Sequence, residues 1–225
     1  MDFTSISNEM IQLDTDIFLF FNQLHNTYFD YFMSSFSGKW VWVPMYLALA
    51  CLLKRNFNWR YTLLSMVSIA LVILIADQVG ASLIRPYVCR LRPANLDNPL
   101  SELVHIVNGY RGGSYGFPSC HAANTFGLTF FLIFLLRHRG LSVFFFSWAV
   151  LTCYSRIYLG VHYPGDTLAG MALGFCAAGI VYGLFVKLFA FRPKESLEQA
   201  YLPMLVGGLT VLGIVIYSGV MWWMV

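Results

Sequence analysis

Long apolar runs separated by short polar stretches organise this chain. Runs rich in Leu, Ile, Val, Phe and Ala fall at about 40–53, 61–84, 121–136, 141–155, 166–190 and 202–224. Crossing about 30 Å of hydrocarbon takes roughly 20 helical residues, so each run predicts a membrane span. The first is short and can begin earlier, which leaves the count at five or six. Ahead of them, DIFLFFNQLHNTYFDYFMSSFS (16–37) mixes aromatics with His25, Asp30 and several amides. That mixture predicts an amphipathic helix lying in the interface. In the fifth run the small residues Gly170, Ala172, Gly174, Ala177, Ala178 and Gly179 predict close helix contact. The last run ends in MWWMV, with Trp222 and Trp223 as interfacial anchors.

Composition agrees. The 225 residues are 58% hydrophobic and 11% charged, against roughly 25% charged in an ordinary soluble domain. The expected fold is all-α: a polytopic membrane helix bundle of about six transmembrane helices with an N-terminal interfacial amphipathic helix, forming one unit over 1–225. Asp2, Glu9, Asp14 and Asp16 precede any basic residue, unlike a cleavable signal. Of five cysteines, Cys51, Cys153 and Cys176 lie in apolar runs, and Cys89 and Cys120 at span ends. An odd count without CxxC spacing argues against a disulfide scaffold or a zinc knuckle, with a Cys89–Cys120 bridge as a minor alternative.

Charge then sets the orientation. Lys54, Arg55 and Arg60, then Arg137 and Arg139, then Lys187, Arg192 and Lys194 occupy alternate loops, which share one face. The excess of basic residues makes that face cytoplasmic. Lys39 stands near the first span. Arg85, Arg90, Arg92, Arg111 and Arg156 fall in the two connections of the opposite face, where topology alone would not put them. The first of these connections, 84–121, is far longer than the common 4–6 residues, a length associated with function or disorder.

These two connections also carry Ser119, His121, His162 and Asp166. Clustered guanidinium forks suit a phosphate, and Ser119 opens a span whose free N–H groups favour an anion. A carboxylate bonded to one imidazole nitrogen fixes the tautomer and makes the other nitrogen a better nucleophile, which fits His162 and Asp166. His121 can then protonate the departing oxygen. For Arg90 and Arg111, interfacial snorkelling competes with anion binding. His25, His105 and His138 read as packing residues, with His105 near enough in the long loop to touch substrate. A zinc site from His105, His121 and His162 lacks HxxxH or HExxH spacing and would sit among arginines. Asp77, inside the second run, lies about two turns before Arg85, which predicts a salt bridge or a supporting contact rather than catalysis.

RPYVCRLRP (85–93), PSCH (118–121) and SRIYLGVHYPGD (155–166) resemble the three-part signature of the type 2 phosphatidic acid phosphatase family: K-x6-RP, PSGH and SR-x5-H-x3-D. Every spacing is kept, and the motif core covers about 61–190. Two positions depart: Arg85 stands for the usual lysine, and Cys120 for the glycine. The resemblance implies that Arg85, Arg92, Ser119 and Arg156 hold phosphate, His162 is the nucleophile, Asp166 orients it and His121 is the general acid, with no metal and no cofactor. It implies a metal-independent phosphatase acting on a phosphorylated membrane lipid at the outer boundary of a bacterial inner membrane. The substrate tail is expected to enter sideways between spans. No nucleic acid or obligate protein partner is expected. The stretch 108–126 resembles small envelope phosphatases and favours lipid A. Undecaprenyl diphosphate, phosphatidylglycerol phosphate and phosphatidic acid are alternatives, as is transfer of phosphate to a second lipid. A non-enzymatic transporter is the distant alternative, since transporters place charge near mid-membrane.

Overall fold

The computed structural model describes residues 3–194 and 196–224 of the chain. Its helices are α1 (Phe3–Asn22), α2 (Thr27–Phe36), α3 (Val43–Asn56), α4 (Trp59–Gln78), the short α5 (Arg85–Val88), α6 (Cys120–Leu136), α7 (Arg139–Tyr158), α8 (Pro164–Phe189) and α9 (Tyr201–Trp223). A π-helical stretch, Val79–Ile84, joins α4 to α5. The helix starts are written in short polar residues. The side chains of Asn26, Asn58, Ser119 and His138 accept from the N–H groups of Phe29, Tyr61, Ala122 and Leu141, supplying partners that the first turn lacks.

Four stretches are long and apolar enough to cross a membrane: Trp59–Val88, Arg139–Tyr158, Pro164–Phe189 and Tyr201–Trp223. Thr27–Phe36 and Trp40–Asn56 pass that test together, bent by 67°, and α6 is a shorter apolar helix. The first span therefore does begin earlier than its apolar run. The single interfacial helix expected over 16–37 is instead two helices broken at 23–26. The reason is local: Asn26 caps α2, while the Asn22 amide turns away to bond the carbonyls of Tyr158 at 2.8 Å and His105 at 3.1 Å. Large apolar side chains face outward on the spans, among them Leu63, Val67 and Leu74 on α4 and Leu205, Leu209 and Ile216 on α9. Only a hydrocarbon surround accommodates that much exposed apolar surface without cost. Inside, Phe131, Leu135, Phe145 and Phe185 are fully buried.

The pair α6–α8 forms the centre, and small residues set its spacing. A Cβ at Gly170 would fall on the Ser119 carbonyl oxygen, and one at Gly174 on that of Ala123. Backbones this close lock the start of α6 to the start of α8, and the Ser119 N–H donates to the Asp166 carbonyl at 2.9 Å. At the opposite end the loops after α3 and α8 meet: Phe57 packs on Phe191, and Asn56 bonds Glu198. The basic loops thus gather at one end and the sequence-singled arginines at the other.

Candidate active site

The α8 start is built by Pro164 in its first turn and by Asp166, whose Oδ2 accepts from the Tyr163 N–H at 3.0 Å. An acid in the first turn is favoured by the helix dipole, so the fold itself fixes this carboxylate. Asp166 is fully buried, and its Oδ2 lies 3.4 Å from His162 Nδ1, longer than an ordinary hydrogen bond. An Arg92 Nη1 donor lies 3.1 Å from His162 Nε2. A donor aimed at Nε2 requires the lone pair there, so the proton resides on Nδ1, facing Asp166. His162 is 1% exposed. Burial foremost, then the Arg92, Arg156 and Arg85 cations, holds its imidazole well below the ordinary histidine value, so the ring is neutral and its Nε2 is nucleophilic.

The arginines arrive from three directions. Arg92 is held by the Tyr115 carbonyl at 3.2 Å and the Val161 carbonyl at 3.2 Å, bracing the long connection against the loop that carries His162. Burial and the neighbouring Arg85 and Arg156 charges push its pKa down, a stress that an anion would relieve. Arg156, 4% exposed near the end of α7, donates to the Ser37 hydroxyl in the α2–α3 turn. Arg85 follows the π stretch and donates through Nη2 to the Pro118 carbonyl at 3.0 Å and Cys120 Sγ at 2.9 Å. The two departures from the signature therefore meet: a guanidinium fork where a lysine is usual reaches the thiol that replaces the glycine. Three of the buried side-chain polar atoms without a partner, Arg85 Nε, Arg156 Nε and His162 Nδ1, belong to this cluster. Buried donors left open cost free energy; a phosphate would satisfy the two guanidinium donors, while His162 Nδ1 faces Asp166.

Of the sequence-predicted residues, Arg85, Arg92, Arg156, His121, His162 and Asp166 come together at one end of the bundle. His121 lies in the first turn of α6, just after the Ser119 cap whose N–H is bonded to Asp166 at the start of α8. Ser119 is also there, fully buried, with its oxygen accepting from the Ala122 N–H at 3.4 Å and its hydroxyl proton free to donate. Three alternatives left open by the sequence are resolved. Asp77 makes a supporting contact, accepting from Asn124 at 3.4 Å, and forms no ion pair with Arg85 among the described residues. Cys89 and Cys120 are both free thiols. His105 faces away from the cluster, bonding Asp30 at 2.8 Å and stacking on His25.

The sequence reading missed Asp14, Ser37 and Tyr163, and it left Arg90 undecided. Arg90 pairs with Asp14 at 2.7 Å and Asp166 at 3.1 Å; Arg111 donates to the Ala94 carbonyl. Asp14 shares one α1 face with Phe18 and Asn22, four residues apart, a spacing that does not by itself point to Arg90. Ser37 carried no sequence signal. Beside Arg156, Ser37 with Ser34, Gly38, Asn108 and Tyr110 lines a cavity of about 200 Å³.

Residues 63–190, which include every signature position, match the PAP2 superfamily. A lipid A 4′-phosphatase of Bacteroides thetaiotaomicron is 48% identical over 214 residues, covering 92% of this chain and 95% of the relative. A lipid A 4′-phosphatase of Porphyromonas gingivalis is 32% identical, covering 79% of this chain and 75% of the relative. In fold, the chain is similar to the crystal structure of Aquifex aeolicus LpxE, with a TM-score of 0.59 at 23% identity over 76% of this chain and 95% of that one. With the phosphatase signature kept at all but two positions on a membrane helix bundle and these relatives spanning most of its length, the chain belongs to the PAP2 superfamily of metal-independent phosphoester hydrolases.

Proposed function

We propose that this protein removes the 4′-phosphate of lipid A, acting in a bacterial inner membrane with its site facing the periplasm. The observation that carries the chemistry is the convergence of three guanidinium groups, two with open buried donors, on a neutral imidazole backed by a carboxylate. The substrate follows the 48% identity to a lipid A 4′-phosphatase, and the orientation follows the basic loops at the far end.

In the reaction, the phosphate takes the donors of Arg85, Arg92 and Arg156. Arg92 then leaves His162 Nε2, which attacks phosphorus. The N–P bond forms as the P–O bond to the sugar breaks, and His121, which takes up a proton once the bound phosphate offsets the arginine charge, delivers it to the leaving oxygen. The imidazole keeps its Nδ1 proton, facing the Asp166 carboxylate, which stabilises the positive charge that develops on the ring. The arginines stabilise the charge spread over the equatorial oxygens. Water then attacks phosphorus as His121 takes its proton; the N–P bond breaks, its electron pair returns to Nε2, and phosphate departs. Support for a lipid substrate comes from an apolar cavity of about 300 Å³ between α3, α4, α6 and α7. It is lined by Leu49, Met66, Ile69 and Leu128 and reaches Asn124 and Thr125, one turn past His121.

The test is phosphate release by the purified protein from lipid A, undecaprenyl diphosphate, phosphatidylglycerol phosphate and phosphatidic acid, with mass spectrometry of the lipid products. The expected result is fastest turnover of lipid A with loss of its 4′-phosphate, insensitive to EDTA. Faster turnover of another lipid, or appearance of the phosphate on a second lipid, would overturn the substrate or the acceptor.

A further inference from the structure

Arg90 occupies a variable position of the first signature segment, and α1 lies wholly outside residues 63–190, yet both touch the centre of the site. Arg90 Nη2 lies 2.7 Å from Asp14 Oδ2, and Nη1 lies 3.1 Å from Asp166 Oδ1. Its guanidinium also stacks 3.9 Å above the Tyr163 ring. The second oxygen of Asp14 accepts from the Gly165 N–H at 2.7 Å, directly before Asp166. A Cβ at Gly165 would collide with the Asp14 carboxylate, so the approach is close enough to need glycine.

The remaining members of the same α1 face continue the contact. Phe18 is fully buried, edge-on to Tyr163 at 5.2 Å, and Asn22 bonds the carbonyls of Tyr158 and His105. One stripe of α1 therefore clamps both ends of the loop that carries His162, while Met10, Leu13, Ile17 and Phe20 stand exposed on its other faces.

We propose that Asp14 and Arg90 are positioning residues for the reaction. Asp14 holds the Arg90 fork, and Arg90 grips Asp166 Oδ1 so that Oδ2 stays turned to His162 Nδ1. Two observations carry this division of labour. Asp166 Oδ2 is already committed to the Tyr163 N–H, and Oδ1 receives its side-chain bond from Arg90. The carboxylate is fully buried, so no bulk water substitutes for a lost partner. Without the fork, Oδ1 is free to rotate toward Tyr163 or the loop backbone, and the imidazole loses its fixed tautomer. A two-carboxylate grip of this kind suits the rigid planar fork; an ammonium is a compact point charge whose donors are not fixed in that geometry.

The inference rests on the phosphohistidine reading, and its test keeps the two separable. Phosphate release from lipid A is measured on the full chain in detergent micelles for Arg90→Gln, Arg90→Lys, Asp14→Asn and the Asp14→Asn/Arg90→Gln double variant, with thermal midpoints. Arg90→Gln is expected to lower kcat on the order of 10- to 100-fold, the usual effect of removing an orienting partner, with KM within about twofold. Asp14→Asn, a near-isosteric change at a partly exposed side chain that leaves the fold standing, is expected to lower kcat less. The double variant is expected to match Arg90→Gln alone, since the pair acts as a unit. Arg90→Lys is expected to recover part of the loss. Unchanged kcat in both single variants, or losses that multiply in the double, would overturn the proposal. So would losses that only follow a lowered thermal midpoint. A His162→Ala control that kept turnover would instead overturn the nucleophile, leaving the coupling of Asp14 to Arg90 to be judged by the double variant.

Discussion

His162 is fully enclosed beneath three cationic side chains, and that setting decides its charge. Below its ordinary value of 6.5 an unfolded histidine takes up a proton; folded His162 does not, because its pKa lies well below. The unfolded state then binds more protons than the folded one, so the stabilising effect is whole above about pH 6.5 and declines as pH falls below it. The slope approaches about 1.4 kcal/mol per pH unit in that window. His162→Gln removes the group from both states. The wild-type thermal midpoint is therefore expected to fall more steeply between pH 6.5 and 5 than that of His162→Gln in the same detergent. Equal slopes would show that the ring protonates normally. The same neutrality keeps Nε2 available for attack under mildly acidic conditions.

Among the helices, the α6–α8 seam decides whether the two halves of the site meet. His121 and Ser119 start one helix, Asp166 starts the other, and Gly170 and Gly174 set their separation. Adding a methyl group at either glycine drives it into α6 backbone, which cannot rotate away as a side chain would. Gly170→Ala or Gly174→Ala is expected to lower the thermal midpoint and to reduce turnover at least 10-fold by moving His121 relative to His162, since 1 Å misplacements carry large rate costs. Gly179, with open space at its Cβ, is the control: Gly179→Ala is expected to change neither. Activity preserved in all three would mean the seam is looser than its geometry implies. The small-residue run in the sequence already pointed to this contact, because only small side chains let helices approach so closely. The π stretch before Arg85 left no such mark.

Across the molecule, what was legible followed what chemistry restricts. Phosphate binding and imidazole attack tolerate few residue types at few spacings, so Arg85, Arg92, Arg156, His121, His162 and Asp166 stood out against an apolar chain. Span boundaries were legible for the same reason, through hydrophobic length. Asp14 and Ser37 were not, because their partners Arg90 and Arg156 lie 76 and 119 residues away and no local spacing encodes such a pairing. The aromatic content of 16–37 points to an interfacial amphipathic helix; the buried stripe through Asp14, Phe18 and Asn22 emerges only against the loop it clamps. The account stands on attack by one imidazole within this assembled pocket. Rapid alkaline quenching during lipid A turnover, followed by mass spectrometry of the peptide spanning 155–166, tests it most directly. Phosphate covalently bound to His162, and absent in His162→Ala, is the predicted result; brisk turnover with phosphate on His121, or with no phosphorylated histidine, would contradict it.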